Sequence, residues 1–249
     1  MSAPRVVLVT GAGNGLGRAH VLRLVGDGAV VAMLDIEDEA LAGTAAAAAA
    51  AGGRVWSAVA DVRDRVAVEA AVAAAGRALG GIDAVVSNAG NMHARTGILD
   101  TDDDEWDNIF AVHVGGTRNV VRAAVPLLLA SGSPRIVLTS SLWAQRGPGF
   151  GHAYAAAKGA LIAFARNLAV ELGPAGVCVN AVAPGSVPTR MASDYGPEDI
   201  AEDCKTIPLG RWGAADEISA VVAFLASAAA GYVSGQTIAV NGGQEFGGV

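Results

Sequence analysis

Tyr154 and Lys158 stand four residues apart in an alanine-rich run, Tyr154-Ala155-Ala156-Ala157-Lys158. On a helix that spacing projects both side chains from one face. A phenol beside an ammonium is suited to proton transfer. Taking a hydride from an alcohol requires its hydroxyl proton to leave as the carbonyl forms, and a positioned base must receive it. A free tyrosine, with a pKa of about 10, offers little phenolate near neutrality. The ammonium, together with any positive ring bound beside it, favours the phenolate; a drop of ~2 to 3 units takes roughly 3–4 kcal/mol. The sequence thus predicts a depressed phenol at Tyr154. Alone, such a pair is more often plain helix surface, so its setting decides.

The setting begins at Thr10-Gly11-Ala12-Gly13-Asn14-Gly15-Leu16-Gly17, directly after the apolar run Val6–Val9. Glycines leave no Cβ between backbone and ligand, and the helix that follows offers free N–H groups to a pyrophosphate. The spacing is GxxxGxG through Gly11, Gly15 and Gly17, since Leu16 stands where GxGxxG needs glycine. Asp35 closes the next β-branched run, 18 residues after Gly17. A carboxylate there accepts from both ribose hydroxyls and repels a 2′-phosphate. Its expected neighbours Asn14 and Ile36 are uncharged. NAD is therefore the expected cofactor, not NADP.

The 249 residues suffice for one large α/β domain spanning 1–249, and no linker divides them. Hydrophobic residues at 52% and charged residues at 16% argue against disorder. A net charge of −7 with no Lys/Arg stripe argues against nucleic acid and anionic membranes as partners. Val6–Val9 is too short for an export signal or a span, so a cytoplasmic location is expected. Cys178 and Cys204 lack disulfide or zinc spacing, and the four histidines form no ligand set, so no metal is expected. His20 reads as structural; His93 and His152 lie on loops at strand ends.

Seven β-branched runs alternate with alanine/leucine-rich stretches. Strands are predicted at 5–10, 30–35, 55–60, 84–87, 135–139, 177–182 and 237–240. Helices are predicted near 15–27, 37–51, 64–79, 105–130, 152–173 and 215–228. Runs such as VVLV and RIVLT are apolar on both faces, which predicts a doubly wound, Rossmann-like parallel sheet with helices on either side and a ligand beyond its strand ends.

Further motifs sit at these strand ends: Asp61-Val62, Ser87-Asn88-Ala89-Gly90, Ser140-Ser141, Pro184-Gly185 with Thr189, and Asn241-Gly242-Gly243. With the glycine-rich turn and Tyr154/Lys158, in this order, the chain resembles the single-domain short-chain dehydrogenases/reductases over nearly its whole length. That resemblance implies a seven-stranded sheet and, commonly, a homotetramer. It implies that Asp61 and Val62 meet adenine, that Asn88, Ala89 and Gly90 line the ribose side, and that Val187 and Thr189 hold the nicotinamide carboxamide near Pro184 and Gly185. It makes Ser141, thirteen residues before Tyr154, the serine that bonds the substrate oxygen. Lys158 would also bond the nicotinamide ribose. Ser140, with the wrong spacing, is expected to face the sheet. The family's usual fourth catalytic residue is an asparagine that holds a helix distortion whose carbonyl binds a relay water; here the matching segment is Val112-His113-Val114-Gly115. An imidazole N–H can replace the amide donor, so His113 is expected to keep the relay open.

By the same resemblance, substrate choice resides in the loop after strand 5 and the segment after Pro184-Gly185. These carry Leu142, Trp143, Gln145, Phe150, Met191 and Tyr195, with Met92 on a third edge and only Arg146 and Arg190 as single charges. Trp143, Phe150 and Met191 join Ser141 and Tyr154 as the expected substrate-binding set. A bulky, largely apolar secondary alcohol or ketone (alicyclic, terpenoid or steroid-like) is the expected substrate. Residues 188–210, rich in Gly, Pro and acids, read as a mobile closing segment. Competing readings are a 3-oxoacyl thioester reductase, weakened by Asp35, and a non-catalytic NAD sensor, weakened by the intact Ser141, Tyr154 and Lys158. A lyase or epimerase would normally need a larger substrate domain.

Overall fold

Strand β1 (Val6–Thr10) shows how the chain builds a two-faced sheet. Val6 and Leu8 enter one apolar core, Val7 and Val9 another, as period-two geometry requires. The same alternation runs through β2 (Val30–Asp35), β4 (Ala84–Ser87), β5 (Arg135–Thr139) and β6 (Cys178–Pro184), all fully or almost fully buried. Strands β3 (Val55–Val59) and β7 (Thr237–Val240) are the half-buried edges. The computed structural model describes residues 5–91, 96–148, 151–193 and 195–246, with only the backbone of Met191.

The seven strands lie in the order β3-β2-β1-β4-β5-β6-β7, and every pairing is parallel. Helices α3 (Arg65–Leu79), α5 (Thr117–Leu128) and α6 (His152–Leu172) cover one face. Helices α1 (Gly15–Gly26), α2 (Asp38–Ala50) and, near the C-terminus, Ala215–Ala226 cover the other. Strand order reverses at β1, which has β2 on one side and β4 on the other, and the strand ends open a crevice there. Among the described residues no helix is long and apolar enough to cross a membrane.

Two expectations need correction. The single helix expected over 105–130 is interrupted: α4 (Asp103–Phe110) leads into a π-helical turn, Ala111–Gly116, before α5. Close packing accounts for its glycine end, since a Cβ on Gly116 would lie 2.5 Å from Val62 Cγ2. The segment 188–210 also carries regular elements that its composition did not predict. It holds a 3₁₀ turn, Arg190–Ala192, and helix α7 (Pro197–Thr206), which makes the helix at Ala215–Ala226 α8. Pro197 at the first helical position, Glu198 and Asp199 in the first turn and Lys205 in the last are start and stop signals. Asp199 accepts the Gly196 N–H at 2.9 Å. Those signals were present in the sequence, outweighed by its polar composition.

His20 is structural, as expected. It is fully buried between α1 and α8, its Nδ1 2.8 Å from Ser219 Oγ. Ser219 donates its own proton to the Ala215 carbonyl, so Nδ1 carries the ring hydrogen. Burial pushes the imidazole down to about 3 from 6.5. Between those values the unfolded chain takes up a proton that native His20 refuses, so stability falls as pH falls through that window. His20→Leu should flatten the slope of stability against pH there, read by urea unfolding at several acidic pH values. An unchanged slope would remove His20 from the acid sensitivity.

Candidate active site

At the crevice the ends of β1 and β4 are tied together. Thr10 Oγ1 accepts from the N–H groups of Asn88 and Ala89, each at 3.1 Å. Asn88 Nδ2 donates to the carbonyls of Thr10 and Gly11 at 3.3 and 3.4 Å. Gly11 adopts φ 63°, and a Cβ there would approach Ala89 Cα at 2.8 Å. From this knot a cleft of about 450 Å³ runs along the strand ends. Gly11, Asn14, Gly15 and Leu16 line it, as do Asp61, Val62, Asn88, Ala89 and Gly90. Asp35 and Ile36 stand at one end, and Pro184, Gly185, Val187 and Thr189 toward the opposite end. Gly17 is the one described cofactor candidate that does not line the cleft. It lies behind the turn, against the Gly11 carbonyl.

A dinucleotide suits these residues. Asp35 Oδ2 accepts the Gly13 N–H at 2.7 Å and Oδ1 accepts the Glu37 N–H at 3.0 Å. Each oxygen keeps a second lone pair for a ribose hydroxyl. The first turn of α1, at Gly15 and Leu16, presents N–H groups of the kind that bind phosphate. Val62 is held in place by Asn119, whose Nδ2 donates to its carbonyl at 3.0 Å. The anchoring roles of Thr10 and Asn119 are not legible in the sequence, because backbone anchoring is encoded by no motif spacing.

Charged neighbours at the Asp35 end also differ from expectation. Glu37 and Arg190 line the cleft there beside Asn14 and Ile36, and Arg63 lines it beside Asp61. Arg190 comes from the segment after β6, more than 150 residues away in sequence, so reading β2 and its flanks could not reveal it. Arg63 binds the Asp61 carboxylate, with Nη2 2.6 Å from Oδ2, and holds that carboxyl below its ordinary range.

Ser141, Tyr154 and Lys158 line the same cleft. Tyr154 and Lys158 share one face of α6, and Nζ of Lys158 lies 5.5 Å from the centre of the Tyr154 ring. Nζ donates to the Thr139 carbonyl at 2.7 Å, while Ser140 Oγ donates to the Lys158 carbonyl at 2.8 Å. Ser140 therefore pins α6 to β5 rather than merely facing the sheet. Ser141 follows β5 and its Oγ accepts the Trp143 N–H at 3.2 Å. Burial pushes the Tyr154 phenol above its ordinary value, with a hydrogen bond to Ser141 pulling the other way. Burial also pushes Lys158 down to about 7. The protein's own groups thus leave the phenol raised; the depression expected at Tyr154 counts a bound oxidised nicotinamide as a second cation. Desolvation is the largest cause at both residues, opposed at Tyr154 by the Ser141 hydrogen bond.

His113 sits in the π-helical turn, fully buried, and does not line the cleft. Its ring meets that of Tyr154 edge-on, with centroids 5.3 Å apart. Nε2 accepts the Asn91 N–H at 3.4 Å, and a Cβ on Gly90 would lie 2.6 Å from Cε1. The backbone distortion expected at this place is present with histidine in it.

Beyond Tyr154 the wall is aromatic. Trp143 packs edge-on against Tyr154 at 5.7 Å, and Tyr195 against Trp212 at 5.4 Å. Leu142 and Ala192 complete it; Gln145 is not part of it. Met92, His93 and Phe150 lie outside the described residues, as does the Met191 side chain. Trp212 was not singled out in the sequence. Its Nε1 donates to Asp203 Oδ2 on α7 at 2.7 Å, an oxygen that also accepts from Ser186 Oγ at 2.6 Å. The helix missed in the sequence is what holds this wall.

Comparison with known proteins gives consistent results. A family model described as enoyl-(acyl carrier protein) reductase matches residues 11–245. The short-chain reductase protein NovJ of Streptomyces niveus is 40% identical over 251 residues, covering 98% of this chain and 95% of its own. A crystal structure of levodione reductase, 36% identical, matches with a TM-score of 0.92 over 96% of this chain and 97% of that one. Carveol dehydrogenase from Mycobacterium avium in complex with NAD, 32% identical, matches with a TM-score of 0.93 over 97% and 98%.

Proposed function

Because this chain belongs to the short-chain dehydrogenase/reductase family, we propose that it is an NAD(H)-dependent oxidoreductase interconverting a bulky, largely apolar secondary alcohol and its ketone. One observation carries the reading. A single cleft joins Asp35 at one end to Ser141, Tyr154 and Lys158 at the other. When bound, nicotinamide supplies the hydride acceptor or donor and, oxidised, a positive charge at that end.

The protein's residues do the rest. The Ser141 hydroxyl bonds the substrate oxygen and offsets the charge that grows there. Tyr154 takes the alcohol proton during oxidation and returns it during reduction. Lys158, anchored on Thr139, fixes the phenol's place and passes on its proton, which a near-neutral ammonium releases readily. His113 keeps the π-helical turn seated behind Tyr154 and its carbonyls aimed toward the lysine's end. Trp143, Tyr195 and Trp212, with Phe150 and Met191, bound the substrate and exclude water. The whole of 1–249 acts as one cofactor-binding and catalytic domain in a cytoplasmic homotetramer that uses no metal.

The relatives named levodione reductase and carveol dehydrogenase support an alicyclic member of this bulky, apolar class. Purified protein assayed against a panel of cyclic and linear secondary alcohols with NAD, and of ketones with NADH, should favour cyclic members. Preference for a 3-oxoacyl thioester would replace the substrate class. Turnover with no member of either set would support cofactor sensing instead.

A further inference from the structure

We propose that Glu37 is a second determinant of cofactor choice, working with Asp35 by occupying Arg190, the guanidinium that would otherwise meet a 2′-phosphate. This rests on the NAD reading above and extends it to residues outside the glycine-rich turn and the end of β2.

Arg190 opens the 3₁₀ turn after β6 and reaches across to the rim of β2. Its fork binds the Glu37 carboxylate at both oxygens, Nη2 to Oε1 at 2.6 Å and Nη1 to Oε2 at 3.0 Å. Asn14 Nδ2 adds a bond to the same Oε2 at 3.2 Å. The Glu37 N–H, in turn, is held by Asp35 Oδ1. The two carboxylates are thus coupled through the backbone, one facing the cleft and one facing the guanidinium.

A second recess of about 400 Å³ opens on the outer side of this pair. Asn14, Glu37 and Arg190 line it as well as the main cleft, and Asp38, Glu39 and Ala40 close it. Three carboxylates, those of Glu37, Asp38 and Glu39, therefore line this recess with one guanidinium. A doubly charged phosphate entering there meets repulsion from all of them. Arg190, the cation that lines this recess, is already bound bidentately, a geometry that an arginine gives up only to a comparable partner. The mutual shifts agree with this, since the pair holds Glu37 below and Arg190 above their ordinary values.

The consequence is non-additivity. With Asp35 removed, Arg190 is still tied to Glu37. With Glu37 removed, Asp35 still repels the phosphate. Only together do the two changes free a cation beside an uncharged ribose site.

Equilibrium binding of NADH and NADPH, read by quenching of the cleft's tryptophans, tests this on wild type, Asp35→Ser, Glu37→Gln, the double variant, and the double variant carrying Arg190→Gln. The measure is the ratio of the NADPH to the NADH dissociation constant. The double variant should lower that ratio at least about fivefold beyond the product of the single effects, a coupling typical of residues in contact. Arg190→Gln should cancel the excess. Simple additivity, or an excess that survives Arg190→Gln, overturns the proposal. So does a Glu37→Gln effect that weakens both cofactors alike, which would make Glu37 only a tie for the segment after β6. Should the double variant not fold, Arg190→Gln is placed in Asp35→Ser alone. There the ratio should stay constant, and a rise would overturn the proposal. Wild type that binds NADPH more tightly than NADH overturns the NAD reading itself. That outcome is distinct from additivity in a protein that prefers NADH.

Discussion

Tyr154→Phe is expected to lower turnover by about 10²- to 10⁴-fold, the range that a positioned general acid or base supplies, while NADH binding is retained. The change removes one oxygen and little else. The ring keeps its edge-on contacts with His113 and Trp143, so the fold of α6 and the aromatic wall should persist. What is lost is the atom that exchanges the proton with substrate and bonds Ser141. The pH profile separates this from a packing defect. Oxidation needs the phenolate and reduction needs the phenol, and burial holds the phenol's pKa up. Wild-type oxidation should therefore rise with pH above neutrality while reduction falls. The phenylalanine variant should lose both dependences. Residual activity within about tenfold of wild type, with its pH profile intact, would contradict the assigned proton transfer.

The glycine-rich turn, Asp35 and the Tyr154/Lys158 pair are local patterns, and each lands on the cleft because a parallel sheet delivers its strand ends to one edge. The seven strands were legible for the same reason: their residues are mostly apolar on both faces, and turn signals bound them. What escaped depends on contacts remote in sequence. Arg190 reaches Glu37 from the far side of the molecule. Trp212 is held by a carboxylate on a helix that its polar composition concealed. The π-helical turn at Ala111–Gly116 was legible only through the family resemblance, because composition and periodicity alone read as one helix. The phenol's environment is legible only in part, because spacing shows that an ammonium is near but not how much water is excluded. Desolvation is a property of the assembled site.

Glycine offers the other large effect, because one substitution should act with opposite signs at two places. Gly17→Ala is expected to destabilise the protein by about 1–3 kcal/mol or more, the usual cost of overpacking, and to impair NADH binding severely. A Cβ on Gly17 would lie 1.8 Å from the Gly11 carbonyl oxygen, 2.7 Å from its carbon and 2.8 Å from Asn88 Nδ2. The first two are backbone, which cannot rotate away as a side chain can. Gly11 itself cannot retreat, since it is already packed against Ala89 at the β4 end. The strain must open the turn that forms the cleft's floor. Gly43→Ala, on the exposed face of α2, meets nothing within 4 Å and has a helical backbone. There the new methyl reduces the unfolded chain's freedom and should stabilise by roughly 0.5–1 kcal/mol. Urea unfolding and NADH titration of both variants check the pair. A Gly17→Ala protein that unfolds and binds like wild type would mean that β1 and α1 do not meet as closely as this turn requires. The phosphate-binding role of the turn would then lose its structural basis.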